Sequence, residues 1–316
     1  VVQNFAGEDQ FIANKVAPIV TVMNQHDVIE VVTQEDWFRA ENDVRAPGAE
    51  ANQIEFGVNS LSYYANNHAL KTQVTMEARM NADPPMLRLL ESGKAKHVAR
   101  ILMLNWEIRL ANQIFTPTNV GTSNTVNSSF TDHQNSSPYN TILQRIDNVY
   151  DATAFKPNRL LIGKNAWRHI SRNDEIIDKA NKTGVTGGAK NATKEQVTAL
   201  FGMDEVIIGS QFKNTANEGQ SLALAQVWAD SILAYYSPSA ASINDPSFMY
   251  SFRWQKPGLP NMNVERHPFD KKTKTEELEI GYYQDERILS KSLGGLLVNV
   301  TSSGASGSIV GNGGIT

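Results

Sequence analysis

Residues 83–115, DPPMLRLLESGKAKHVARILMLNWEIRLANQIF, form the stretch on which the fold turns, because they have the pattern of one long helix. Asp83 suits an N-cap. Pro84 and Pro85 fall in the first turn, where a missing N–H costs nothing because those donors lack intrahelical partners. Leu87, Leu90, Val98, Ile101, Leu102, Ile108 and Phe115 recur at helical spacing, while Arg88, Glu91, Lys96, Arg100, Glu107 and Arg109 mostly fall off that stripe. A helix of roughly thirty residues is about 45 Å long, more than a compact domain needs, so an extended subunit is expected. Gly93 weakens it by about 1 kcal/mol relative to Ala, which points to a bend or a close backbone contact there. Taken alone, the helix would equally suit the core of an ordinary enzyme.

Working outward, the 316 residues, 41% of them hydrophobic, are enough for one large domain or two smaller ones. A formal net charge of -4 argues against a dedicated nucleic-acid binder, which would carry a basic excess, and leaves room only for weak or local contact with DNA. With no cysteine, the chain has no disulfide, thiolate nucleophile or cysteine-ligated metal. No apolar run approaches the roughly eighteen residues of a membrane helix, and no signal-peptide pattern opens the sequence, so a soluble protein is expected.

Before the helix, Phe11, Ile12, Val16, Ile19, Val20 and Val22 make an apolar segment that resembles an arm. Val28–Thr33 is β-branched and suits a strand, Arg45-Ala46-Pro47-Gly48 is a turn signal, and Ile54, Phe56 and Val58 alternate as a returning strand. An isolated two-stranded ribbon is marginally stable in water, so this one must lie on something else. Residues 61–77 continue as extended chain. After the helix, residues 116–137 are rich in Thr, Asn and Ser and have the composition of a loop. From Tyr139 short helices and strands alternate: a helix over Ile142–Tyr150, a strand over Arg159–Ile162, a helix beginning at Ala166, a helix over Lys194–Phe201, and strands at Glu205–Ile208, Leu222–Val227 and Ile232–Tyr236. This is a mixed α+β domain of its own. Strands are expected again at Met249–Trp254, Val264–Arg266, Leu278–Tyr283 and within Ser290–Val300. The Gly/Ser-rich tail, residues 301–316, is a coil by composition, and only neighbouring protein would offset the cost of ordering it.

No chemistry stands out. The six histidines show no pair at zinc-ligand spacing. His169, Ser171 and Asp174 share one short stretch, which suits a helical surface better than a triad. Residues 184–190 lack the second glycine of a phosphate loop and its following Ser or Thr. The acidic group Glu35, Asp36, Glu41 and Asp43 reads more simply as a solvated face than as a cation site. No catalytic residue, cofactor site or metal site is assigned.

The runs Lys15-Val16-Ala17-Pro18-Ile19-Val20, Glu35-Asp36-Trp37-Phe38-Arg39 and Arg45-Ala46-Pro47-Gly48 resemble the amino-terminal part of tailed-phage major capsid proteins. A proline-flanked spine helix, an α+β middle region and a late Leu293-Gly294-Gly295-Leu296-Leu297 strand continue the order. The resemblance implies the α+β Hong-Kong-97-type capsid fold: an arm (1–21), an extended loop (22–64), a peripheral domain with the spine (65–138), an axial domain (139–242), returning peripheral strands (243–300) and a tail (301–316). It implies a structural, non-enzymatic protein of the virion, assembled in the host cytoplasm through hexamers and pentamers into an icosahedral shell around double-stranded DNA. Portal, scaffold and decoration proteins are the further partners it implies, and no membrane. Trp37, Phe38, Arg39, Arg45, Pro47 and Gly48 are the expected inter-subunit contacts, because guanidinium groups can grip a neighbour's carboxylates while the aromatic rings supply apolar area. Arg88, Lys94, Lys96, Arg100 and Arg109 are the expected DNA-facing cations, since the spine is more basic than the chain as a whole. An encapsulin-like shell around protein cargo, and an α+β enzyme with an unrecognised site, are the alternatives.

Overall fold

The computed structural model describes the chain apart from residues 1–10, 33–37, 41–42, 46, 49, 52, 55–56, 127–128, 183–190, 229, 244, 256–261 and 302–316, so the tail lies outside the described residues. Two compact units emerge: Val1–Gln113 with Tyr236–Leu293, and Ile114–Tyr235 with Gly294–Thr316.

The first unit is organised by β13 (Thr275–Ile288), fourteen residues long. It pairs antiparallel with β4 (Asn66–Thr75), β11 (Met249–Trp254) and β12 (Asn263–Arg266), and β11 pairs parallel with β1 (Ile19–Val22). Gln284 lies opposite Asn66 on one side and Arg253 on the other, so β11 and β12 follow one another along one edge of β13 while β4 runs along the other edge. Ile280, Tyr282, Gln284 and Glu286 are buried at every second position, as the strand period of two requires. The spine, α3 (Pro84–Ile114), follows the short α1 (Ala13–Val16) and α2 (Met76–Met80) and spans 31 residues without interruption. Ala95, Val98, Ala99 and Leu102 pack with Ile280 and Tyr282. The seam is therefore rotated from the stripe expected from sequence: small alanines and Trp106 are buried, while Ile101 stays 36% exposed. Gly93 is exposed with open space where a Cβ would stand, so it marks no close contact.

The ribbon consists of β2 (His26–Val32) paired with β3 (Val58–Tyr64). The described returning strand begins at Val58, where the sequence pattern ended, and Phe56 of that pattern lies outside the described residues. Ile29 and Tyr63 are buried with Val20, Val22, Tyr250 and Phe252, and Tyr63 stacks on Phe252 with ring centres 5.0 Å apart. The root of the ribbon therefore rests on a supporting layer in its own chain, the support that an isolated ribbon requires.

The second unit holds a sheet in the order β5 (Thr122–Thr125), β14 (Gly294–Val298), β10 (Ile232–Tyr235), β6 (Arg159–Gly163), β7 (Glu205–Gly209). Helices α4 (Pro138–Thr153), α5 (Lys164–Ile170), α6 (Asp174–Lys182) and α7 (Lys194–Phe201) accompany it, the last opened by a Thr193–Gln196 capping box. Ile142, Ile146, Ile162, Val197, Val206, Ile232 and Leu297 belong to its core. Two sequence expectations change here. Residues 116–137 carry a strand and the buried Val120, Val126 and Phe130 rather than only loop. The closing strand joins this sheet instead of the strands at 249–288: β5 and β10 pair with its two edges, α4 packs against it at Gly295 through Arg145 and Val149, and Leu296 and Leu297 are buried. A hairpin of β8 (Phe212–Asn214) and β9 (Leu224–Gln226) forms a separate two-stranded sheet.

Two glycines provide opposite tests by thermal denaturation. Gly93→Ala should stabilise the protein by about 0.5–1 kcal/mol, since nothing opposes the methyl group. Gly295→Ala should destabilise it by about 1–3 kcal/mol, because its Cβ would stand 2.6 Å from Arg145 Cδ and 2.7 Å from Val149 Cγ2. Shifts of the same sign in both variants would contradict this packing.

Candidate functional site

The first unit carries a buried polar network where the spine meets β13. Arg109 Nη2 donates to Glu286 Oε1 at 2.9 Å and to the Tyr282 hydroxyl at 3.3 Å. Gln284 Nε2 donates to the same carboxylate at 2.9 Å, and Arg253 Nε donates to Gln284 Oε1 at 3.0 Å. Arg253 also stands over the rings of Trp106 and Tyr282, 5.3 and 5.0 Å from their centres. Burial lowers the pKa of Arg253. Burial acts on Arg109 in the same direction, but the Glu286 carboxylate outweighs it and the net shift is upward. The neighbouring Glu107, fully buried, accepts from the Ile12 amide and so ties the arm to the spine. Phe11, Ile12, Ala13, Val16 and Ala17 are buried, which makes this part of the arm a piece of the chain's own core. Nearer the start of the spine, Arg266 pairs with Glu91 at 2.7 Å and with Glu276 at 3.4 Å, and Arg79 pairs with both carboxylates. These outer pairs are partly exposed and contribute little each, on the order of 0–1 kcal/mol.

The residues expected at subunit contacts sit beyond the ribbon's root. Phe38 is 55% exposed, and Arg39, Arg45, Pro47 and Gly48 are exposed as well; Trp37 lies outside the described residues. Gly48 has φ +83°, in the left-handed region that favours glycine. Val44 and Ile54, 77% and 54% exposed, add apolar surface to the same excursion. The expected DNA-facing cations separate into groups. Lys96 and Arg100 are exposed, Lys94 donates to the Gln73 carbonyl, Arg109 is engaged by Glu286, and the side chain of Arg88 lies outside the described residues. Nothing in the sequence marked Arg109 as internal, since its partner is 177 residues away.

In the second unit His133 Nε2 and His169 Nδ1 are 3.1 Å apart, within hydrogen-bond distance of one another. The His133 carbonyl accepts from the Asp174 amide and the Asn173 side chain, which places the pair at the start of α6. Ser171 donates to the Arg168 carbonyl instead of His169. Among the described residues no group of three or more His, Asp or Glu is placed to hold a metal ion. The segment 184–190 lies outside the described residues.

No family model matches the chain, and no curated protein matches it. Solved structures do. A phage-related protein from Bordetella bronchiseptica RB50 superposes with TM-score 0.72 at 20% identity, covering 93% of each chain. The capsid protein of Cyanophage P-SCSP1u superposes with TM-score 0.56 at 9% identity, over 89% of this chain and 86% of that one. The SrpI encapsulin from Synechococcus elongatus PCC 7942 gives TM-score 0.53 at 13% identity, over 95% and 91%.

Two measurements probe these clusters. Glu286→Ala should cost about 1–3 kcal/mol in chemical denaturation, because it removes the carboxylate that accepts from the partly exposed Arg109 and the buried Gln284; a loss below about 0.5 kcal/mol would show that solvent already compensates both. The second concerns pH. Burial, then His133, then Arg168 and Arg172 lower the pKa of His169, with Asp230 opposing them. The folded state thus favours the neutral ring, and this contribution is present above about pH 6.5 and lost as pH falls below it toward the folded value. His133→Gln should flatten the fall in melting temperature below pH 6.5, and an unchanged pH slope would contradict the coupling.

Proposed function

We propose that this chain, which has the Hong-Kong-97-type capsid fold, is a major capsid subunit that assembles with copies of itself through hexamers and pentamers into an icosahedral shell enclosing double-stranded DNA. The observation that carries the reading is likeness to capsid structures over nearly the full length of both chains, as with the cyanophage capsid. The chain's physical character supports it: the root of the ribbon is buried in the first unit, while its outer part presents Phe38, Val44 and Ile54 to solvent. Burial of such surface on a neighbour contributes about 25 cal/mol for each Å² removed from water, and repetition around a ring multiplies it. In this reading the excursion lies across an adjacent subunit, with Arg39 and Arg45 as charged anchors beside Phe38, Pro47 and Gly48. The region 139–242 supplies contacts at each capsomer axis.

Lys96 and Arg100 face the packaged DNA and hold it through nonspecific phosphate contacts. The protein belongs to the virion and is assembled in the host cytoplasm, with portal, scaffold and decoration proteins as further partners, and it performs no catalysis. The encapsulin-like alternative keeps the shell and exchanges DNA for protein cargo, and the likeness to the SrpI encapsulin is the observation in its favour.

Sedimentation of the purified protein, followed by nuclease treatment of any particles, tests the proposal. Closed particles with nuclease-protected DNA are the expected result, and Lys96→Glu with Arg100→Glu should lower the protected DNA several-fold. Particles holding only protein would favour the alternative, and a stable monomer would contradict both. Shortening the excursion between residues 41 and 53 should leave the circular dichroism spectrum intact while abolishing particles. Normal shells from that variant would remove the excursion from assembly.

A further inference from the structure

The β8–β9 hairpin of the second unit has a firm root and a bare face. Val227 donates its amide to the Gln211 carbonyl at 2.9 Å, and both residues are buried. Trp228, fully buried, lies so close over Gly209 that a Cβ there would meet it at 2.3 Å. At the outer end Asn214 Oδ1 accepts from the amides of Ala216 and Ala223, both at 3.1 Å, and Gly219 turns the chain with φ +83°. The excursion is therefore organised by its own bonds. Phe212 lies opposite Gln226 and Asn214 opposite Leu224, so Phe212 and Leu224 share one face. They are 47% and 62% exposed, and Leu222, two residues before Leu224, is 69% exposed.

We infer that this face is an interface between copies of the chain, at which the Phe212–Leu224 surface of one subunit is covered by its neighbour. The inference rests on the shell reading above and names a contact that reading does not specify. Three observations select a second copy as the occupant. The excursion 211–227 carries one cation, Lys213, and one anion, Glu218, so the approach of an identical subunit meets no net repulsion. The three side chains expose on the order of 300 Å², well under the roughly 800 Å² per partner of a stand-alone interface, so the patch suffices only when other contacts repeat with it in a symmetric assembly. A two-stranded sheet of three pairs with an uncovered apolar face is incomplete alone, and an identical neighbour supplies the missing layer in every subunit at once.

Amide hydrogen exchange over residues 212–226 tests this, comparing dilute unassembled subunits with shells built from the purified chain alone, where the chain itself is the only available partner. Protection should rise at least tenfold on assembly, and equal exchange in the two states would overturn the inference. A paired variant, Leu222→Ser with Leu224→Ser, gives an independent readout. It should keep the melting temperature and circular dichroism spectrum of the unsubstituted protein and lose at least tenfold in shell yield. Full yield from this variant would overturn the hairpin interface and leave the shell reading standing. Absence of shells from the unsubstituted protein would overturn both.

Discussion

The contact between Arg109 of the spine and Glu286 of β13 fixes how the first unit is put together. β13 is the strand on which β4, β11 and β12 all pair, and the spine lies along its buried face. Magnitudes separate what stabilises that junction from what specifies it. Burying Val98, Leu102 and Ile280 contributes about 1.5–3 kcal/mol each. The ion pair gains little net free energy once its desolvation is counted, but removing Glu286 leaves Gln284 and the partly buried Arg109 without their acceptor, at a cost of about 1–3 kcal/mol. The apolar seam resists a shifted register only through the volume difference between its alanines and leucines. Arg109, Tyr282, Gln284 and Arg253 add a directional constraint, because each hydrogen bond is met at one register only.

From that junction follow the different fates of the ribbon's two ends. Its root shares a core with β1 and β11 through Ile29, Tyr63 and Phe252. Its outer part keeps Phe38, Val44 and Ile54 exposed. In the reading proposed above, the fixed root aims this outer end and a neighbouring subunit covers it.

Much of this was legible in the sequence where local chemistry decides. Pro84 and Pro85 marked the start of the spine, and the strand at Met249–Trp254 and the helix at Lys194–Phe201 fall where their patterns put them. The misreadings share a cause, which is tertiary pairing overriding local pattern. Ile54, Phe56 and Val58 alternate like a strand; Phe56 lies outside the described residues, and the described strand is the more polar Val58–Tyr64, held by its register with β2 and by the stacking of Tyr63 on Phe252. Thr122–Thr125 looks like loop and becomes a strand because β14 offers it an edge. Among the candidate site residues, Phe38, Arg39, Arg45, Lys96 and Arg100 are exposed. Arg109 could not be told from them, since a cation's partner at a distance of 177 residues leaves no trace in its neighbourhood.

The central claim is that the chain completes itself on its own copies. Cryo-electron microscopy of particles grown from the purified protein measures this most directly. The account predicts a closed icosahedral shell in which density for the excursion beyond Val32 runs over an adjacent subunit. Isolated subunits at every concentration, or a shell in which each excursion folds back on its own chain, would contradict it.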